Sequence, residues 1–209
     1  MEGKKQFIIE NAGELYLRFG IRNITMDSVA TEFAISKKTL YQYFKDKEDL
    51  VAQVIDFYLN NGMEIDIKNP DNGNAIDNMF HFRKRVSDML KFYHNNIEEE
   101  LRKTYPALHA KVHECKRKRI YNDTIENLKM GVAQGLYRAD LEPSFVAKLQ
   151  LGRLLFTMNP EYGIFENFEL NSLSFFDNVL NYHMHAICTE EGIKYYNNLI
   201  NKVQNEKQN

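Results

Sequence analysis

The sequence predicts an all-α protein: an N-terminal three-helix helix-turn-helix domain followed by a larger helical bundle. Three observations lead there. Only four prolines and ten glycines punctuate 209 residues. No stretch alternates apolar and polar residues as a half-buried strand would, and apolar residues recur at three- and four-residue spacing.

Element by element, Ile8, Ala12, Leu15 and Phe19 share one helical face, with Ile9 and Tyr16 flanking it and Gly20 as a natural stop. Thr25 caps a short helix at 26–33 whose apolar face is Met26, Val29, Ala30 and Phe33. Asp27, in its first turn, favours the positive end of the backbone dipole. Ala34 and Ile35 make a tight connection, and Ser36 caps the next helix, KKTLYQYF at 37–44. A fourth helix starts near Lys47, with Leu50, Val51, Val54, Ile55 and Tyr58 along one side. The segment IKNPDNGN, at 67–74, is the clearest loop in the chain. Longer helices follow at about 76–100, 107–134, 143–158, 172–188 and 190–204, with breaks at 104–106, 135–143, 159–163 and 189–192. The expected division is therefore 1–61, containing the helix-turn-helix at about 25–44, and 62–209, with the fourth helix joining the two parts.

Composition narrows the function. Hydrophobic residues at 44% and charged residues at 27% fit an ordinary soluble domain. The two cysteines, Cys115 and Cys188, lie far apart and form no paired motif, which points to a reducing compartment. The N-terminal stretch carries acids within its apolar spacing, unlike a signal peptide, and no apolar run is long enough to span a bilayer. A cytoplasmic location and no membrane partner are expected. There is no P-loop, no nucleotide-binding glycine pattern and no GxSxG, so neither catalysis nor a cofactor is expected.

Helices at 26–33 and 37–44 joined by a three-residue turn have the dimensions of a helix-turn-helix, whose second helix enters the major groove. Leu40 and Phe44, four apart, anchor that helix and leave Lys37, Lys38, Thr39, Tyr41 and Gln42 outward or sideways. Gln reads adenine bidentately, Lys donates to guanine, and a Thr methyl meets a thymine methyl. Tyr41 and Tyr43 can reach phosphate oxygens, which sets register without reading sequence. Lys47 and the backbone N–H groups of the fourth helix offer a further anion site. The net charge of -2 gives no overall pull toward nucleic acid. Residues 1–61 hold eight basic side chains against nine acids, and only 36–47 is clearly positive. Modest affinity per protomer and a need for two protomers follow. The same residues also fit a short solvated helix with a lysine fringe.

The order of residues decides between these readings. The run ITMDSVATEFAISKKTLYQYFKDKEDLV resembles the DNA-binding segment of TetR-family transcriptional regulators, with Thr25, Val29, Ala30, Ile35, Ser36, Lys37, Thr39, Leu40, Tyr41, Tyr43, Phe44, Lys47, Glu48 and Leu50 in register. Upstream, AGELYLRFGIRNIT is similar to the family's first helix and its glycine stop, so the resemblance covers about residues 5–60. It implies that Thr25, Tyr41, Tyr43 and Lys47 touch phosphate, that Lys37, Lys38, Thr39 and Gln42 lie nearest the bases, and that Ser36 belongs to the same surface. Two positions depart from the family pattern. Ala34 stands where glycine is usual in the turn, at a cost of about 1 kcal/mol if its backbone is left-handed. Lys38 replaces another frequent glycine and adds a charge near the groove.

For 62–209 the resemblance implies a homodimer whose helical bundle binds a small ligand and changes affinity for a double-stranded DNA operator, as repressors do. Movement of the fourth helix as a lever would link ligand to DNA. A small apolar or aromatic ligand suits the aromatic and methionine residues at 79–94 and beyond, with Met89, Phe92, Tyr93, Tyr121 and Phe156 as pocket candidates. The segments FVAKLQLGRLLF and SLSFFDNVLNYHMHAI offer Phe145, Leu149, Gly152, Phe176 and Leu180 as dimer contacts, although an intramolecular core would use the same stripes. His109 and His113 are four apart with Cys115 close by, but Cys115 would point well around the helix and no acid completes an HExxH pattern. No metal is expected. KRKR at 116–119 reads as a solvated helix face. The competing class is a helical interaction protein whose helix-turn-helix no longer binds DNA.

Overall fold

The computed structural model describes residues 2–60, 73–92, 97–157, 162–170 and 172–206. These residues form α1 (Glu2–Phe19), α2 (Met26–Glu32), α3 (Lys37–Tyr43), α4 (Lys47–Asn60), α5 (Ala75–Phe92), α6 (Ile97–Thr104), α7 (Pro106–Ala133), α8 (Pro143–Thr157), α9 (Asn167–Leu170), α10 (Leu173–Ile187) and α11 (Glu190–Glu206). Among the described residues there is no strand, only an isolated antiparallel bridge between Tyr137 and Cys188. The all-helical fold matches the sequence expectation. The helix expected at about 76–100 is described as α5 and α6, with 93–96 outside the described residues, and the loop at 67–74 lies outside them except for Gly73 and Asn74.

Two compact units divide the chain: Met1–Glu64 with Lys91–Lys116, and Ile65–Leu90 with Arg117–Asn209. This division differs from the expected 1–61 and 62–209, and among the described residues α6 and the start of α7 pack with the N-terminal helices. The first unit closes around Ile8, Ala12 and Tyr16 of α1, Val29 and Ala30 of α2, Leu40 of α3, Phe44, and Leu50, Val51 and Val54 of α4. From α6, Leu101 completes this core, and Ile97, Tyr105 and Leu108 pack against it. Phe19, expected on the buried face, is 47% exposed. The buried stripe of α1 runs at four-residue steps through Ile8, Ala12 and Tyr16, after which Gly20 turns the chain and Ile21 enters the core instead.

The connection between α2 and α3 is a helix C-cap of the Schellman type. The Ile35 N–H donates to Ala30 O at 2.9 Å and the Ala34 N–H to Thr31 O at 3.1 Å, which places Ala34 at the left-handed position, with φ 50°. Glycine is the residue that takes this conformation without a steric penalty.

In the second unit, Ile76, Leu128, Tyr137, Leu180, Met184, Ile187 and Tyr196 form the core. Asn127 donates to Ala75 O at 2.9 Å and accepts from the Tyr137 hydroxyl at 3.0 Å, so these buried polar groups satisfy one another. Arg83 makes a paired contact with Asp177 at 2.6 and 2.7 Å, tying α5 to α10. The break expected at 189–192 is shorter than that. Thr189 accepts from the Gly192 N–H at 3.1 Å, and α11 is already under way at Glu190. Gly192 sits within the helix because a Cβ there would run into the Leu136 carbonyl.

Ala34 supplies a direct test of the turn. A left-handed L-residue costs about 1–2 kcal/mol, and glycine's greater unfolded-state freedom returns about 0.4–1 kcal/mol of that. Ala34→Gly is expected to raise the thermal midpoint followed by circular dichroism, a gain of up to about 1 kcal/mol. Ala34→Val is expected to lower it. A lower midpoint for Ala34→Gly would contradict the turn geometry.

Candidate DNA interface

α3 is held from one side and open on the other. Leu40 is fully buried and Phe44, its C-cap residue, is 1% exposed, both in the core built by α1, α2 and α4. The four-residue step between them puts both on the inner face. Lys37, Lys38 and Gln42 lie exposed on the rest of the helix, and Tyr41 is 51% exposed. Thr39 and Tyr43 are half-buried, and Tyr43 packs against the same core beside Phe44.

Each cap is built locally. The Ser36 hydroxyl accepts from the Thr39 N–H at 3.0 Å and pairs with the Thr39 hydroxyl at 2.8 Å, so the polar atom of Thr39 already has a partner. Thr25 forms a capping box with Ser28: Thr25 Oγ1 accepts from the Ser28 N–H at 3.1 Å, and Ser28 Oγ accepts from the Thr25 N–H at 2.7 Å. Ser28 stands three residues after Thr25, the capping-box spacing, so the signal for it lies in the sequence itself.

The electrostatics depart from a plain basic surface. Lys37 Nζ lies 2.6 Å from Asp27 Oδ2, and both side chains are more than half exposed. Such a pair is worth about 0–1 kcal/mol, so an incoming phosphate or base can compete for the lysine. Lys47 donates to the Arg22 carbonyl at 3.3 Å. Burial lowers the Lys47 pKa, against the opposing pull of Glu100. The first turn of α4, where an anion site is expected, is already acidic. The Asp46 carboxylate already accepts from the Asp49 N–H at 2.9 Å, and Glu48 and Asp49 add negative charge in the first turn.

A support for this surface comes from far along the chain. Glu100 of α6 accepts from the Arg22 N–H at 3.1 Å. Its Oε1 would lie 2.8 Å from a Cβ on Gly20, a contact the flexible side chain can relieve, but Gly20 has φ +82°, so the backbone requires glycine there. No local pattern in the sequence could have revealed a contact across 78 positions.

The remaining candidates scatter. Phe145 and Leu149 are 63% and 62% exposed on α8, and among the described residues a Cβ added at Gly152 would meet open space. Leu180, by contrast, is 3% exposed in the core, and Phe176 packs there against the ring of Phe82 at 5.6 Å. These two pack in the chain's own core. Phe156 is 55% exposed and stacked on Tyr162 at 4.4 Å, so it does not line an interior pocket. The reason is its register on α8, eleven residues beyond Phe145 on the outward stripe. Tyr121 is half-buried; Tyr93 and the side chains of Met89 and Phe92 lie outside the described residues. In KRKR, Lys116 pairs with Glu98 at 2.9 Å, while Arg117 and Lys118 are exposed.

Comparison with known proteins bears on the head directly. Residues 8–54 match the sequence profile of the family described as bacterial regulatory proteins, tetR family. Over that segment the chain is similar to the TetR family. An HTH-type transcriptional regulator of Staphylococcus aureus is 45% identical over 56 residues, 27% of this chain and 30% of the relative. The match thus spans less than a third of that curated relative's length. At the level of fold the likeness extends further. A transcriptional regulator from Cytophaga hutchinsonii is 21% identical with a TM-score of 0.66, covering 90% of this chain and 100% of its own. Escherichia coli NemR in its reduced form is 14% identical with a TM-score of 0.64, covering 88% and 97%. The likeness is one of fold: an N-terminal helix-turn-helix followed by a helical domain.

The caps of α2 and α3 are open to test. Ser36→Ala is expected to destabilise the protein by about 0.5–2 kcal/mol, whereas Ser36→Gly costs only a few tenths. Thermal midpoints of the two variants should separate in that order. Equal midpoints would mean that the Ser36 hydroxyl does not hold α3.

Proposed function

We propose that the protein is a homodimeric, sequence-specific DNA-binding transcriptional regulator of the repressor type, in which a small ligand bound by the larger helical unit changes DNA affinity. One observation carries the DNA-binding reading: Leu40 and Phe44 fix the inner face of α3 while Lys37, Lys38, Tyr41 and Gln42 stand exposed on the rest of it. A helix so mounted presents its N-terminal residues to base edges in a major groove. Lys37, Lys38 and Gln42 are the readers, Thr39 adds its methyl, and Thr25, Ser36, Tyr41, Tyr43 and Lys47 set position on the phosphates. Repression and ligand response follow from kinship with the TetR family, and the ligand's chemistry is an apolar or aromatic small molecule.

Support for the homodimer comes from α8. Its exposed stripe of Phe145, Leu149, Gly152 and Phe156 is the kind of contiguous apolar surface that a soluble chain covers with a partner. Tyr182 of α10, 71% exposed, lies beside it under Arg153 at 5.9 Å. Two such helices from each copy make a two-fold interface, and two reading helices then meet two half-sites.

Fluorescence anisotropy over a salt series tests the DNA reading. The duplexes are the upstream intergenic DNA of the protein's own gene and a scrambled control. Gln42→Ala is expected to lose about 1–3 kcal/mol of discrimination at one base position of the preferred duplex. Asp27→Asn, which releases Lys37, is expected to strengthen binding to both duplexes. Equal and weak binding of every genomic fragment tested, by a folded dimer, would favour the helical interaction protein instead.

Phe145→Asp combined with Leu149→Lys is expected to yield monomers in sedimentation velocity without loss of helix content. DNA affinity is then lost with the second reading head. A dimer that survives both substitutions would remove α8 from the interface.

A further inference from the structure

One side-chain cluster outside the reading face draws on two helices. Glu98 of α6 and His109 and His113 of α7 each bring a ligand-type atom within 4.8 Å of the others. His109 and His113 are one helical turn apart on the same face, with ring centroids 5.1 Å apart. The Glu98 carboxylate divides its two oxygens: Oε1 lies 3.4 Å from His113 Nε2, and Oε2 lies 2.9 Å from Lys116 Nζ. The acid that the HExxH pattern lacked in sequence is thus supplied from the neighbouring helix.

We propose that Glu98, His109 and His113 bind a divalent transition-metal ion such as Zn2+, pinning α6 to α7. Two imidazoles and one carboxylate are a donor set suited to zinc and its neighbours and poorly suited to magnesium or calcium, which take oxygen ligands. In a tetrahedral shell with bonds of about 2.0–2.1 Å, donor atoms sit roughly 3.4 Å apart. Glu98 and His113 already stand at that separation. The wider gaps in the cluster close by side-chain rotation, since Glu98 is 52% exposed and His113 37% exposed. Water fills the remaining position. Cys115 is exposed and outside the cluster.

The plain alternative is an ion-pair network of Glu98, Lys116 and His113. Lys116 separates the two. Its ammonium competes with a cation for the Glu98 carboxylate, so removing it strengthens a metal site and only weakens an ion-pair network. The site also falls within the unit that contains the helix-turn-helix. Glu100, two residues beyond Glu98, receives the Arg22 N–H, and Leu101 lies in the core that buries Leu40 and Phe44. A bound ion therefore restrains the helix that supports the head. Metal binding itself does not depend on the DNA-binding reading.

The test is titration of the metal-free full-length protein with Zn2+ in competition with a chelating dye, with circular dichroism to confirm folding. One ion per chain is expected. Glu98→Gln, His109→Asn and His113→Asn should each weaken it at least about 10–100-fold, the range seen for loss of outer partners alone. Cys115→Ser and His185→Asn, the latter in the last turn of α10 and outside the cluster, should leave it unchanged, and Lys116→Met should tighten it. No saturable binding by the unaltered chain, or an affinity indifferent to Glu98, His109 and His113, overturns the proposal.

Discussion

The placement of α3 depends on the burial of Leu40 and Phe44. α3 has seven residues, too few to be stable alone, since isolated helices shorter than about 12–15 residues are marginal in water. Fully burying a large apolar side chain contributes about 1.5–3 kcal/mol, and two such anchors on one face supply what the short helix lacks. They also set its rotation. With Leu40 and Phe44 facing inward, Lys37, Lys38, Tyr41 and Gln42 have nowhere to go but outward.

The surroundings of α3 keep that orientation at both ends. The Schellman turn at Ala34 fixes the angle at which the chain leaves α2, and the Ser36 cap begins α3 at once. Farther out, α6 returns to the same core through Leu101, while Glu100 receives Arg22 and crowds Gly20. The first unit is therefore more than its first sixty residues. Its polar contacts are mostly exposed and individually weak, so apolar burial, not the ion pairs, holds the head together.

Much of the head was legible because its signals are local. Thr25 and Ser36 announce helix starts by chemistry, and the four-residue step from Leu40 to Phe44 announces a buried face. Even the strain at Ala34 could be anticipated from a missing glycine in a familiar order of residues. What failed was contact across distance. Glu100, Leu101 and Glu98 meet partners that no spacing rule connects to them. The apolar stripes of α8 and α10 look alike in sequence, yet Leu180 packs inside the chain while Phe145 and Leu149 face solvent. Periodicity tells which residues share a face, not what covers it. Phe19 failed for a related reason: the helical period ends where Gly20 turns the chain.

Guanine methylation protection on the best-bound duplex recovered from random sequence would test the central claim most directly. The N7 atom attacked by the reagent lies in the major groove. A bound α3 is expected to shield N7 at two symmetric half-sites. Loosening its anchor with Leu40→Ala should abolish the shielding while the rest of the chain stays helical. Tight binding that leaves every guanine N7 reactive, or shielding indifferent to Leu40, would contradict a groove-reading role for α3.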